Sequence, residues 1–398
     1  MSKQDELVDL VKYVKKHNNL YNCLYKNIDE NNFELEQLPF FKRTYIRNNL
    51  QNAISDSFSI DSLVRESTYG TTEGVPLKIY KSSLERVNLG LLLWNHRQSI
   101  NNNASKRCAH YYYNTDNINA TPLIKVNANK VNIDLPAIKK CDYDYVNDLM
   151  LLINYDIKWL ICPPTLAYKI SQIALEYNIF PNLEIIEFLS EYIPKHYKET
   201  IENVFKCNTC VEYGCHEIWG IAFSNKNNHL EIMENIILEQ IDDNRFINGY
   251  GQCKVTNLKL KALPFIRYEL NDLIYLKDGK LETYGFRASD SVKMFDVNIH
   301  CSFFSNLFEY ELKYKIYPLE DYQIVYDDNT ICLLLFKYYE LYYEYIGEFL
   351  KQKIKIIYKV DIDIEVKKTT IFYTDNITGK LKGIIRCNDL KSILNSRQ

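Results

Sequence analysis

The chain lacks any apolar run long enough to cross a bilayer. Its most apolar stretches, Leu149 to Ile153 and Ile331 to Phe336, fall far short of the roughly 20 residues a membrane helix needs, so no membrane partner is expected. Blocks of one charge are missing too. The 48 basic and 51 acidic residues are dispersed and give a formal net charge of -3, which argues against a nucleic-acid partner. The opening residues have no apolar signal-peptide core; Leu7, Leu10, Val11 and Val14 recur at helical spacing among charges, the pattern of a surface helix. Glycine is scarce, 12 against 33 tyrosines; with the abundant Asn, Ile and Lys, we read this as the imprint of an AT-rich genome rather than a binding signal. The 11 cysteines are odd in number and irregularly spaced, and the one close pair, Cys207 and Cys210, is followed by no second CxxC or paired His. Buried free thiols in a reducing cytoplasm are therefore expected, with neither a disulfide framework nor zinc.

What is present is an ordinary globular composition, 46% hydrophobic and 25% charged, on a chain long enough for two or three structural units and without an internal repeat. Helical patterns cover the first fifty residues and recur over 82–97, 143–155, 164–177 and 195–205. Brief apolar stretches at 160–162, 183–188 and 210–213 alternate with them, as buried strands of an α/β sheet do. From Leu230 to Tyr284 the pattern turns to alternating strands and turns, with Asp278-Gly279 marking a hairpin, so an antiparallel sheet is expected there. After Ser289 come strands at 322–326 and 331–336, a Tyr-rich helix over about 337–351, and strands from Ile354 onward: a small α+β unit.

The loop Ser67 to Pro76 (STYGTTEGVP) is the first segment suited to chemistry. Gly70 and Gly74 expose backbone amides, and Ser67, Thr68, Thr71 and Thr72 supply hydroxyls, the donors a phosphate needs; a plain hairpin turn is the other reading. It is not a Walker A loop, since Val75 and Pro76 stand where GxxxxGK[ST] requires Lys and a hydroxyl.

This loop resembles the (S/T)SG(S/T)TGxP signature of the adenylate-forming superfamily, which holds acyl-CoA ligases, luciferases and peptide-synthetase adenylation domains, and it is most similar to the phenylacetate-CoA ligase and capsule-biosynthesis-related branch. Further pieces follow in the family's order. QLPFFKRTYIRNN resembles the LPxxxKxxxR leader, ICPPTLAYKI a PSxL helix start, and EFLSEYIP, with Glu191, the GE-containing adenine segment. VEYGCHEIWGIAF resembles YGxTE, ALPFIRYELNDLIYL the PxxRYxTGD motif, FRASDSVKMFDVNI the GRxDDxxKxxGxxV motif, and NITGKLKGIIR the terminal SGKxxR motif.

The resemblance implies a large adenylate-forming domain over 1–286, built of α/β sheets and a β-rich part, and a mobile α+β domain over 287–398. It implies ATP and Mg²⁺ as cofactors, with Ser67, Thr68, Gly70, Thr71, Thr72, Glu191, Tyr213 and Gly214 around the nucleotide. Glu217 would hold the magnesium, Asp272 the ribose hydroxyls, and Arg287 would approach from the interdomain junction. Lys380 would bridge the substrate carboxylate and the α-phosphate, His216 takes the hydroxyl position of YGxTE, and Trp219 and Phe223 fall where acyl-pocket residues lie. Such charges are what the reaction needs, because carboxylate attack on a polyphosphate brings anions together. The partners implied are a carboxylic acid, aryl or amino acid, and an acyl acceptor.

The chain departs from the pattern at Tyr69 and Glu73, which make the loop bulkier and more acidic, and at Ser289, which takes the hinge position. Asp296 stands in place of a glycine along the path of the pantetheine arm and favours a carrier-protein thiol or an amine over free coenzyme A as acceptor. These departures keep a second reading open, a degenerate adenylate-forming scaffold that acts by binding.

Overall fold

The computed structural model describes residues 2–67, 77–101, 106–112, 120–127, 130–139, 141–294, 297–312, 321–335, 342–374 and 381–387. Several of its helices start where local chemistry supplies caps. Ser2 and Asp5 form a capping box ahead of Lys3–His17, and Ser82 and Glu85 form another ahead of Ser83–Ile100. Pro164 opens Pro164–Tyr177, and Asn178 ends it in the left-handed conformation. The first fifty residues are less helical than their pattern suggests. They hold Lys3–His17, Asn19–Leu24 and Arg43–Asn48, and between the last two the chain runs extended enough for Phe41 to bridge Tyr268. Leu38 and Phe41 are spent on the core there.

The α/β stretch and the antiparallel stretch, separate in the sequence pattern, form one sheet of 12 strands. Its order is Ile236–Asp242, Gly251–Asn257, Tyr268–Lys277, Lys280–Arg287, Leu230–Ile232, Trp219–Ser224, Asn208–Cys215, Ile185–Phe188, Trp159–Cys162, Arg107–Tyr112, Lys130–Pro136 and Leu123–Asn127. The strand Asn208–Cys215 makes the join. Its first half pairs parallel with Ile185–Phe188 and its second half antiparallel with Trp219–Ser224. Asp278 and Gly279, both at positive φ, close the hairpin between Tyr268–Lys277 and Lys280–Arg287 as their sequence suggests.

Helix Ser83–Ile100 lies across this sheet and is pinned by Arg97, whose Nε and Nη2 reach the Glu187 carboxylate at 2.8 and 2.7 Å and whose Nη2 reaches Glu212 at 3.0 Å. Burial pushes the Glu212 carboxyl up to about 7 against the pull of Arg97, since one guanidinium serves both acids.

The C-terminal unit has a sheet in the order Asp363–Lys368, Thr330–Leu335, Tyr322–Tyr326, Ile384–Arg386. Both of its faces are buried. Val325, Cys332, Leu334 and Ile385 join the core of the parallel strands, while Ile324, Ile331, Leu333 and Ile384 pack with Ile346, Leu350 and Ile354 of helix Tyr343–Tyr358. That helix corrects the expectation of a strand from Ile354. Ile346, Leu350 and Ile354 recur every fourth residue on one buried face, and the helix continues to its left-handed cap at Lys359.

Candidate active site

A two-stranded hairpin, Val64–Ser67 with Lys78–Lys81, carries the phosphate-type loop between its ends, and Ser67 pairs with Lys78 at the open end. Thr68, Tyr69, Gly70, Thr71, Thr72 and Glu73 lie outside the described residues, as do Asp296 and Lys380. The base of the hairpin is built from charge. Glu66 accepts Lys81 Nζ at 3.0 Å and Trp219 Nε1 at 3.3 Å, and forms an ion pair with Arg86 Nε at 3.0 Å. Lys81 Nζ also donates to the His216 carbonyl at 2.8 Å, so one lysine ties the loop's root to the turn 215–219. The Lys81 side chain is 1% exposed, and burial holds its ammonium below the usual lysine range, opposed by Glu66.

That turn returns the strand Asn208–Cys215 into Trp219–Ser224, with Gly214 opposite Gly220. A Cβ on Gly214 would overlap the carbonyl oxygen of Trp219, and Trp219 itself sits at φ 69°, a costly conformation for a bulky side chain. Gly214→Ala is therefore expected to lower the thermal midpoint clearly and to displace Trp219. A variant with wild-type melting and unchanged Trp fluorescence would contradict this.

The turn holds Glu217 inward and buried while His216 stays exposed. Glu217 Oε1 accepts the Tyr268 hydroxyl at 3.0 Å and faces Arg43 Nη1 at 4.0 Å. Among the described residues no group of three or more His, Cys, Asp or Glu side chains comes together. A single hard carboxylate of this kind suits magnesium arriving on a polyphosphate, which keeps most of its ligands as phosphate and water.

The strand Tyr268–Lys277 that carries Tyr268 also carries Asp272. Asp272 Oδ2 accepts the Tyr213 hydroxyl at 3.1 Å, and Oδ1 faces Arg287 Nε at 3.4 Å from the paired strand. Burial raises the Tyr213 hydroxyl well above the usual range, so it stays protonated and donates. Next to them, Asn271 Nδ2 donates to Ser289 Oγ at 2.7 Å, which fixes the residue at the expected hinge. The structure thus brings Tyr213, Asp272 and Arg287 together, while Glu217 is held separately by Tyr268, four residues earlier on the strand of Asp272.

Glu191 stands apart from this group. Its Oε2 accepts the Thr165 hydroxyl at 2.6 Å and the Thr165 amide at 3.3 Å, at the start of helix Pro164–Tyr177. Of the two acyl-pocket candidates, Trp219 is half-buried beside Lys81 and Arg86, whereas Phe223 is fully buried and stacks on His96. Cys207 and Cys210 are buried free thiols, and burial pushes Cys207 up to about 12.

Sequence reasoning missed Glu66, Lys81, Arg43 and Tyr268. Arg43 and Tyr268 lie inside motif-like segments, which was a usable signal; Lys81 had none, since its role depends on a carbonyl 135 positions away.

No family model and no curated protein sequence matches this chain. Its backbone does match solved structures. One is 2-hydroxyisobutyryl-CoA ligase in the postadenylation state with 2-HIB-AMP, at TM-score 0.67 and 12% identity over 99% of this chain and 90% of that one. An open conformation of the same ligase with 2-HIB-AMP and CoA gives TM-score 0.60 and 13% identity over 96% and 90%. Its thioesterification state with the same ligands gives 0.56 and 14% over 99% and 91%. With a large mixed sheet, a smaller α+β unit and this extent of overlap, the chain has the fold of that ligase.

Proposed function

We propose that the protein uses ATP to activate a carboxylic acid as an acyl-adenylate, releases pyrophosphate, and passes the acyl group to a carrier-protein thiol, an amine or coenzyme A. The observation that supports this most is that Tyr213, Asp272 and Arg287 meet, and that the turn carrying the buried Glu217 is tied by Lys81 to the root of the hairpin that bears the loop. In this reading residues 1–286 hold the nucleotide and the acid, and 287–398 form a mobile unit.

Asp272 is the acceptor for the ribose hydroxyls, and Arg287 supplies positive charge toward the phosphates. The loop with Ser67, Thr68, Gly70, Thr71 and Thr72 would cradle the polyphosphate, with Tyr213, Gly214, His216 and Glu191 as further nucleotide contacts. Glu217, oriented by the Tyr268 hydroxyl, would hold the magnesium that arrives with ATP. When bound, that ion neutralises phosphate charge for an in-line displacement. Lys380 then meets the entering carboxylate and the α-phosphate, offsetting the repulsion between them. The acid lies toward Trp219, and an aryl or amino acid suits that ring, whereas the fully buried Phe223 would support the strand from the core rather than touch the acid. Asp296 favours a carrier arm or an amine as acceptor.

ATP–pyrophosphate exchange across a panel of carboxylic acids tests the reaction. Exchange that depends on one class of acid is expected. Nucleotide binding without exchange for any acid would instead favour a scaffold that binds without turnover. Asp272→Ala should weaken ATP by roughly 1.5–3 kcal/mol for each charged ribose hydrogen bond lost. Calorimetry that finds unchanged ATP affinity would remove Asp272 from the site.

A further inference from the structure

Helix Lys195–Phe205 follows Pro194, whose side chain accepts no hydrogen bond, so its first amides need an acceptor from elsewhere. They find it far along the chain. The Lys195 amide donates to Asp321 Oδ1 at 3.0 Å and the His196 amide to Oδ2 at 2.7 Å, and Asp321 is 2% exposed. One carboxylate at the entrance to the C-terminal sheet thus caps a helix of the N-terminal portion with both of its oxygens, at the end where the helix dipole favours negative charge. The same helix grips the C-terminal unit a second time. The Phe372 amide donates to the Tyr197 hydroxyl at 2.8 Å, and Tyr168, stacked on Tyr197 at 4.0 Å, donates to the Thr370 carbonyl at 3.0 Å.

Two residues beyond Asp321, Gln323 takes up the chain on either side of the Lys380 segment. Its side-chain amide accepts from the Tyr373 amide at 2.8 Å and donates to the Tyr373 and Lys382 carbonyls at 2.7 and 2.8 Å. Thr374 and Leu381 bridge one another directly inside those contacts, and Gly383 abuts the Phe286 ring so closely that a Cβ there would overlap it. A cavity of about 60 Å³ at this junction is lined by Tyr192, Gly285, Phe286, Leu381 and Lys382, among others, and Tyr192 follows Glu191 in the chain. The short stretch 321–324 therefore holds the helix at one end and, at the other, both flanks of the segment that contains Lys380.

We propose that Asp321 is a positioning residue for adenylation: it docks the C-terminal unit on helix Lys195–Phe205 and, through Gln323 on the same stretch, sets where the Lys380 segment is presented. This rests on the reading of Lys380 given above. Asp321 contacts no reacting atom in this scheme. Its loss changes how often the lysine is in place and leaves the nucleotide's own contacts alone.

The test combines two measurements on full-length Asp321→Ala and Asp321→Asn proteins. Hydrogen exchange on the unliganded proteins should show the Lys195 and His196 amides and the Phe372 amide losing protection together in Asp321→Ala, by about tenfold or more. Pyrophosphate exchange should show kcat falling by a similar factor, with ATP affinity unchanged. Asp321→Asn keeps one acceptor oxygen without the charge and should fall between wild type and Asp321→Ala.

Should Asp321→Ala fail to fold, Tyr197→Phe, which removes only the hydroxyl that accepts the Phe372 amide, must lower protection at Phe372 and kcat in the same direction. The proposal is overturned by Asp321→Ala turning over at the wild-type rate, by ATP affinity falling in step with kcat, or by helix amides opening while Phe372 stays protected. A wild-type protein that exchanges no pyrophosphate with any acid overturns the adenylation reading instead, and the amide measurement then still decides whether Asp321 docks the two units.

Discussion

Arg267→Ala is expected to destabilise the protein by about 3–5 kcal/mol, the usual cost of leaving a buried charge without its partner. The guanidinium is 7% exposed and forms a fork with Glu239, Nε to Oε2 at 3.0 Å and Nη2 to Oε1 at 2.7 Å. Its remaining nitrogen, Nη1, donates to the Glu36 and Leu38 carbonyls at 2.8 and 2.6 Å. Truncation would strand the Glu239 carboxylate and two backbone acceptors at once. It would also free the leader from the strand it adjoins, where the Phe41 amide donates to the Arg267 carbonyl at 3.2 Å and the Glu269 amide donates to the Phe41 carbonyl at 2.9 Å. Because Tyr268 comes next in the chain and orients Glu217, lost stability and lost nucleotide chemistry should appear together. Arg267→Lys keeps a charge but not the planar fork, so an intermediate loss is expected. Chemical denaturation measures both; a wild-type midpoint for Arg267→Ala would refute the assignment.

Lys380→Ala is expected to reduce pyrophosphate exchange by roughly 10²–10³-fold, the scale seen when one group that stabilises developing charge is removed, with nucleotide binding nearly intact. The two effects would separate because, in the proposed site, Asp272 would hold the ribose and the loop, Arg287 and Glu217 the phosphates, whereas the lysine would meet the nucleotide only when the carboxylate enters. Equilibrium ATP binding alongside exchange kinetics would check the split. Full exchange activity in the variant would sink the lysine's role, and a parallel loss of ATP affinity would move Lys380 from the reacting centre to the ground-state binding site. Asp321→Ala should show the same pattern at smaller amplitude, because it shifts the position of the lysine's segment without removing the amine.

Local chemistry made much of the fold legible. The helical pattern over 82–97 became helix Ser83–Ile100, capped by Ser82 and Glu85, and Asp278-Gly279 marked a hairpin that the structure closes with both residues at positive φ. Each signal is carried by neighbours in sequence and needs no knowledge of what packs around it. Illegible steps were those in which a tertiary partner overrode the local pattern. Residues between Leu24 and Arg43 gave up helical periodicity to run beside Tyr268, and helix Tyr343–Tyr358 took over an expected strand because Ile354 continues a buried face.

The site divides along the same line. The sequence by itself, through its resemblance in short ordered segments, proposed the carboxylates and cations an adenylation would need, Glu217, Asp272, Arg287 and Lys380, together with the loop between Ser67 and Pro76. Tertiary structure alone decided how the described ones are held. Glu217 is aimed by Tyr268, the loop's root is tied to the turn 215–219 through Lys81, and a helix that begins at Pro194 is capped by Asp321 from 126 residues away. Buried charges and helix ends must find partners wherever the fold supplies them, and the distance along the chain leaves no trace of that pairing in the sequence.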